Sequence, residues 1–482
     1  MRYHRDVSGY YVENFGCRAT QADGAGLERQ FEELGLARAG TPAQASVVVL
    51  NTCTVTSAAD QDARAAIRRV QRQNPGASIV VTGCYAQRAP EEVAALPGVS
   101  YVIGNSHKHR LAQIALRAPE ALGAGGFVPA RALTWPGGSD DQIFVSDIFA
   151  HTELLAAPVF EAGGSHEGAR TRPNLKVQDG CDNRCSFCVI PSVRGQSRSL
   201  PMERIVREVN ALVEAGYREV VISGINLGRW GRDLAVSTQH SALSETQQRK
   251  ASGLRLASMI RAILSETSLE KLRISSVEPM DWTDELIALV AGWARIARHA
   301  HVPLQSGSDA VLRRMHRKYR PWHYREKIER IHAAVPAAAI GADVMVGFPG
   351  ESDAEFEATR RLIEDLPFTY LHVFTYSARP GTPAAAMPHQ VPVPVARERN
   401  RILRELAAEK KLAFMRGFVG KEVEAITLRA CGAESTEALS DNYLKLQLRG
   451  RHEPNRWLRV RVKDVMDGAL VGAPTANAAV EK

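Results

Sequence analysis

The chain has 482 residues, a formal net charge of +8 and seven cysteines, a length that suits roughly two to four domains. Seven cysteines are too few and too clustered for a disulfide scaffold. No apolar run reaches the length of a membrane span and the N-terminus lacks the apolar stretch of a signal peptide, so a cytoplasmic protein without a membrane anchor is expected.

The first region, 8–116, repeats strand, cysteine and helix. Tyr10 to Gly16 leads to Cys17, Ala45 to Thr52 to Cys53, and Ala77 to Gly83 to Cys84. Short β-branched runs of this kind suit buried parallel strands. Helical patterns follow them, as from Asp60 to Gln73, stopped at Asn74-Pro75-Gly76. Alternation of this kind predicts a parallel α/β domain, and ligands collect at the carboxyl ends of such strands, where all three cysteines fall. The alternative for each cysteine is a small buried hydrophobe. Three thiolates on a four-iron cluster would leave one iron open.

Residues 117–166 read as a linker, with one candidate strand from Gln142 to Ile148 and a flexible Gly163-to-Gly168 lead-in.

The second region, 167–404, opens with Cys181, Cys185 and Cys188 in a C-x3-C-x2-C spacing. Three close thiolates hold three corners of a four-iron cluster and leave the fourth iron open to a ligand. Zinc would want a fourth Cys or His at short spacing, and none follows. Beyond the motif, a helix from Pro201 to Ala215 shows the apolar spacing Ile205, Val209, Leu212, Val213. Strands are expected near 175, 220–224, 272–276, 300–304, 340–347 and 370–376. Six repeats make a partial or full (β/α) barrel with its site at the C-terminal rim. The polar stretch 237–250 reads as a surface insertion.

The third region, 413–482, alternates apolar and polar residues in three runs and predicts a small antiparallel β barrel. It carries Arg449, Arg451, Arg456, Arg459, Arg461 and Lys463, which suit RNA backbone contacts or, equally, a solvated face. Cys431 stands apart from the other cysteines.

The order of these parts resembles the radical S-adenosylmethionine (SAM) methylthiotransferase family. The resemblance spans nearly the whole chain and rests on Phe15 to Gln21, Asn51 to Thr56, Thr82-Gly83-Cys84, the C-x3-C-x2-C motif, His301 to Ser308, Val346 to Glu351 and Ser377 to Pro383. It implies an α/β fold throughout: the N-terminal domain, a radical-SAM partial barrel and a C-terminal TRAM-type barrel. It implies two [4Fe-4S] clusters, one on Cys181, Cys185 and Cys188 to cleave SAM, and an auxiliary one on Cys17, Cys53 and Cys84 to supply sulfur.

By the same resemblance Phe187 lies near the adenine of SAM, and Gly224 and Gly347 lie in SAM-contacting turns. Core packing for Phe187 and simple turns for the glycines are the alternatives. No protein acid or base is expected. Asp179, Asp182 and Glu278 are at most orienting groups. Arg194 and Arg198 suit phosphate contacts and structural ion pairs equally. Asn51 to Asp60, Val145 to Ile148 and Lys176 to Cys181 resemble the branch that acts at C2 of threonylcarbamoylated adenosine in tRNA. Within Gly224 to Gly228, Asn226 stands where that branch has histidine. The other branches act on isopentenylated adenosine or on a ribosomal-protein aspartate; a non-catalytic iron-sulfur RNA-binding protein is the different class. The expected partners are the tRNA anticodon stem-loop, a reductant such as flavodoxin or ferredoxin, and a sulfur donor, with the enzyme a monomer.

Overall fold

Five parallel strands build the first sheet, hydrogen-bonded in chain order: β1 (Tyr10–Asn14), β2 (Val47–Thr52), β3 (Ser78–Gly83), β4 (Val99–Ile103) and β5 (Ile143–Phe144). The computed structural model describes residues 9–116, 142–151, 171–234, 254–431 and 434–475. The insertion at 237–250 and most of the 117–166 linker lie outside the described residues; 142–151, which contains β5, is the described piece of that linker.

Every residue of β2 is buried, which is why its sequence is apolar without alternation. Val48 and Leu50 pack with Ile67, Val70, Ile79 and Val81 on one face. Val47 and Val49 pack with Tyr10, Leu27, Phe31 and Val80 on the other. Each such side chain contributes about 1.5–3 kcal/mol by leaving water. Helix α1 (Arg18–Glu33) follows β1, and α2 (Ser57–Gln73) follows β2. α2 starts earlier than the apolar pattern suggested because the Thr56 hydroxyl accepts the Ala59 N–H and caps it. It stops where Asn74 turns its amide onto the carbonyls of Pro42 and Ala45.

β6 (Asn174–Asp179), β7 (Arg198–Ser199), β8 (Glu219–Gly224) and β9 (Lys271–Ile274) form a second sheet in the order β7-β6-β8-β9. β10 (His299–His301), β11 (Ala339–Val346) and β12 (Tyr370–Thr375) form a third, all parallel. The six expected barrel strands are therefore β6 and β8 to β12, split between two sheets. Helix Met202–Glu214 buries Ile205, Val209 and Leu212 as its spacing predicted, with Val213 half-buried.

The C-terminal barrel is closed, in the order β13 (Glu422–Cys431), β14 (Ser435–Ser440), β15 (Lys445–Arg449), β17 (Ala469–Pro474), β16 (Trp457–Met466). It has five strands where the sequence pattern showed three, and β15 and β17 pair in parallel within an otherwise antiparallel ladder. Ala425, Ala438, Leu446, Leu448, Val460 and Leu470 fill it, with Met415 from helix Val393–Arg416.

The chain packs as two units that do not follow its order. The described residues up to 151 group with 179–183 and 188–198; the described residues of 171–178, 184–187 and 199–475 form the other. Among the described residues no helix is long and apolar enough to cross a membrane.

Candidate functional site

Cys17, Cys53 and Cys84 follow the ends of three adjacent strands, β1, β2 and β3. Cys17 caps α1 and is exposed; Cys53 directly follows β2 and Cys84 opens α3 (Cys84–Arg88), both buried. Two glycines set this arrangement. Gly16 has φ +90°, and a Cβ there would stand 2.5 Å from the Cβ of Cys53. Gly83 has φ +97°, and a Cβ there would stand 2.2 Å from the carbonyl oxygen of Thr52. Only glycine permits both conformation and approach.

Burial, and then the neighbouring Cys84, pushes the Cys53 thiol up to about 12. Left alone it keeps its proton; a bound cation is what would remove it.

Cys84 packs against Val189 and Val193, just past Cys188. Asn105 links the same parts: its amide donates to the Val193 carbonyl at 2.7 Å and lies 3.7 Å from the Cys84 sulfur. Beneath them runs a buried ionic chain. Arg194 donates to both oxygens of Asp179 at 3.0 Å and to Asp23 Oδ2 at 3.0 Å. Lys108 Nζ meets the same Asp23 oxygen at 3.0 Å and Asn51 Oδ1 at 3.2 Å. Asn51 in turn donates to Asn14 and to the Thr20 carbonyl. Burial alone would weaken Arg194, but Asp179, Cys84, Asp23 and Cys17 together hold it charged. Of the two sequence options for Arg194, the structural ion pair is the one present. Arg198 donates to the carbonyls of His151 and Gln196, and Asp182 accepts the Ser197 N–H.

The loop carrying Cys181, Cys185 and Cys188 begins at Gly180, which has φ +72° and where a Cβ would stand 1.9 Å from the Gln196 carbonyl oxygen, so a side chain is excluded. Cys181 N–H bonds the Gly195 carbonyl at 3.0 Å. Ser186 is clamped from three sides: its N–H to Met315 O, its hydroxyl to Arg314 O, and its carbonyl to Ala384 N–H. Arg317 Nη1 donates to Cys185 Sγ at 3.2 Å while Nη2 pairs with Glu278. Burial pushes the Glu278 carboxyl up and Arg317 pulls it back only in part.

Phe187 meets Phe348 edge to face at 6.4 Å between centroids, and Phe348 meets Tyr376 at 5.5 Å. Gly347, just before Phe348, has φ +74° and donates its N–H to Glu351 at 2.7 Å. The structure thus brings Phe187 beside the Gly347 turn. Gly224 ends β8, where a Cβ would come within 2.8 Å of Gln178 Oε1, an oxygen that also accepts the Asn226 N–H.

Among the described residues no group of three or more His, Cys, Asp or Glu is drawn in to hold a single metal ion. The donor set still fits a larger centre: thiols in threes, the N-terminal three beside the buried guanidinium of Arg194 to offset thiolate charge. Sequence reading missed Asp23, Lys108, Asn105 and Arg317. Asp23 lies on the buried side of α1, a charge inside an apolar stripe, and that was the available signal.

Residues 9–104 match the uncharacterized protein family UPF0004, and residues 175–363 match the radical SAM superfamily. A threonylcarbamoyladenosine tRNA methylthiotransferase MtaB of Aquifex aeolicus is 34% identical over 450 residues, 93% of this chain and 99% of that one. A tRNA-2-methylthio-N(6)-dimethylallyladenosine synthase of Novosphingobium aromaticivorans is 32% identical over 451 residues, 93% of this chain and 88% of that one. The solved radical S-adenosylmethionine methyltransferase TsrM from Kitasatospora setae superposes with a TM-score of 0.52 over 79% of this chain and 75% of its own, at 15% identity, which is likeness of fold alone. Fold and cysteine pattern define a radical SAM enzyme, one that works with SAM and [4Fe-4S] clusters. The chain belongs to the MtaB-like family of radical SAM methylthiotransferases and is a transferase.

Proposed function

We propose that this enzyme adds a methylthio group at C2 of N6-threonylcarbamoyladenosine beside the anticodon of tRNA. Cys181, Cys185 and Cys188 hold one four-iron cluster, and Cys17, Cys53 and Cys84 hold the other. When bound, the first cluster and SAM supply a 5′-deoxyadenosyl radical able to take hydrogen from the unactivated C2, and the second supplies sulfur.

The chain's own residues do the positioning. Phe187, Gly224 and Gly347 form the SAM seat: Gly347 takes the turn at φ +74° that glycine permits, with Ala396 packed where a Cβ would stand, and Phe187 and Phe348 set aromatic rings beside it. Arg317 donates to the Cys185 sulfur and so fixes its position. Arg194 and Lys108 lock α1 and the Cys181 loop through Asp23 and Asp179. The target base leaves its stack to reach the site. Arg449, Arg451, Arg456, Arg459, Arg461 and Lys463 are all exposed on the barrel and suit the tRNA backbone, with Arg456 and Arg461 partly offset by Glu453 and Glu422. A flavodoxin or ferredoxin serves as reductant, a separate donor restores sulfur, and the reaction takes place in the cytoplasm.

The observation that carries this reading is the packing of Cys84 against Val189 and Val193, which seats the auxiliary triplet beside the segment that follows Cys188. Nucleoside mass spectrometry of tRNA from a strain lacking the gene tests it. Loss of 2-methylthio-threonylcarbamoyladenosine is expected, restored by the intact gene. A strain that retains the nucleoside at the parental level contradicts the proposal.

A further inference from the structure

One face of the β10-β11-β12 sheet carries a polar row that neither cysteine triplet uses. Strand residues alternate between faces. On β11, Ile340, Ala342, Val344 and Val346 are buried, whereas Asp343 and Met345 are half-buried. The register sets His301 beside Gly341, Asp343 beside His372 and Met345 beside Phe374. All of these face the same side as Tyr370, whose ring lies over Gly341: a Cβ there would come within 2.0 Å of it.

The polar atoms form a run. His299 Nε2 is 2.7 Å from the Tyr370 hydroxyl, which is 2.9 Å from His301 Nδ1. His301 Nε2 is 3.2 Å from Asp343 Oδ1, and His372 Nδ1 is 3.9 Å from that same oxygen. Donation from His299 to Tyr370, from Tyr370 to His301 and from His301 to Asp343 satisfies the three shorter contacts. Asp343 is thereby aimed by His301, a positioning residue, yet its side chain stays 28% exposed, beside a His372 that is 53% exposed. A core would not leave this pair open. Asp343 can accept an N–H or O–H, and protonated His372 can donate to a carboxylate. An apolar substituent would cover both and satisfy neither.

We infer that Asp343 and His372 receive a polar, hydroxy-amino-acid-like substituent on N6 of the target adenosine and select it over an apolar one. This rests on the proposed function. C2 and C6, which carries N6, flank N1 on the same edge of adenine, and the N6 substituent projects outward beyond C6. With C2 turned toward the Gly347 end of β11, the N6 substituent runs back along the strand. Asp343 stands four residues before Gly347, roughly 13 Å at the rise of a parallel strand, a reach that suits a purine and its substituent.

The test uses the reconstituted full chain and three anticodon stem-loop RNAs, carrying threonylcarbamoyladenosine, isopentenyladenosine or adenosine at the target position. Steady-state constants are measured for the parent, Asp343→Asn and His372→Gln, with iron content and melting temperature beside them. The parent prefers the first RNA. Each variant raises KM for that RNA by about tenfold or more, with a smaller change in kcat, and the preference collapses. His372 is exposed enough that its substitution tests the idea even if Asp343→Asn folds poorly. Variants that keep the parental preference overturn the inference and leave the proposed function standing. A parent chain that cleaves SAM but modifies none of the three RNAs overturns both.

Discussion

Arg194 Nη2 stands 3.0 Å from Asp23 Oδ2, with both side chains 2% exposed. Asp23 sits on the helix that Cys17 begins, and Arg194 follows the cysteine loop. Arg194→Met takes from Asp23 and Asp179 the guanidinium that they share. Breaking a buried pair from one side costs about 3–5 kcal/mol. The urea midpoint of the first unfolding transition falls accordingly, and Arg194→Lys recovers part of it. A midpoint unchanged in Arg194→Met would mean that the ionic chain holds nothing together.

The proposed ligand assignment makes the two cysteine triplets separable. Replacing Cys17, Cys53 and Cys84 by alanine leaves about half the iron of the reconstituted parent, and replacing Cys181, Cys185 and Cys188 leaves the other half. SAM cleavage survives the first change and not the second. Iron retained in full by either variant would refute the assignment of ligands.

Cys53 differs from Cys17 in the metal-free chain. Its thiol, pushed up to about 12 by burial and by Cys84, stays protonated at pH 8, while Cys17 is exposed. Alkylation at pH 8 followed by peptide mass mapping finds Cys17 modified well before Cys53; equal rates would contradict this. Stability carries a sign as well. An unfolded chain loses this proton near its ordinary pKa of 9.0 and the folded chain at about 12, so the contribution is full below pH 9 and is lost as pH rises toward 12.

Arg317 reaches Cys185 through an N–H···S contact of 3.2 Å. Hydrogen bonds to cluster sulfur raise the reduction potential. Arg317→Gln therefore lowers the potential of the Cys181–Cys185–Cys188 cluster in a redox titration followed by electron paramagnetic resonance. A potential equal to the parent's would show that this contact does not act on the cluster.

The proposed role of the barrel's cations is to act on the RNA backbone without supporting the fold. Reversal of Arg449, Arg451 and Lys463 to glutamate weakens tRNA binding and flattens its salt dependence, and each substitution changes the unfolding free energy by no more than about 0.5 kcal/mol. Unchanged affinity at 50–200 mM salt would remove the barrel from the tRNA interface.

The cysteine-bearing strand ends were legible because local pattern determines them: a β-branched run stops at Gly16-Cys17, Thr52-Cys53 or Gly83-Cys84. The barrel strands were legible only where apolar and polar residues alternate. β14, Ser435–Ser440, is largely small and polar, and β17, Ala469–Pro474, is mostly small, so neither shows a clear period. Arg194 and Asp23 are 171 positions apart, and nothing local joins them. Arg317, between His316 and Lys318, reads as a charged surface turn, yet folding carries it inward to Glu278 and Tyr319. Residues whose roles arise from long-range pairing leave no periodic trace.

Residues 179–183 and 188–198 pack with the N-terminal sheet, and this bears on how the chain could be inherited or exchanged in pieces. The linker at 117–166 looks like the natural joint for a recombinant, but a chimaera joined there would set one parent's Asp23 against the other parent's Arg194 and Asp179. Shuffling between relatives should succeed where both parents keep that carboxylate–guanidinium pairing, and should otherwise need the loop to travel with the first sheet.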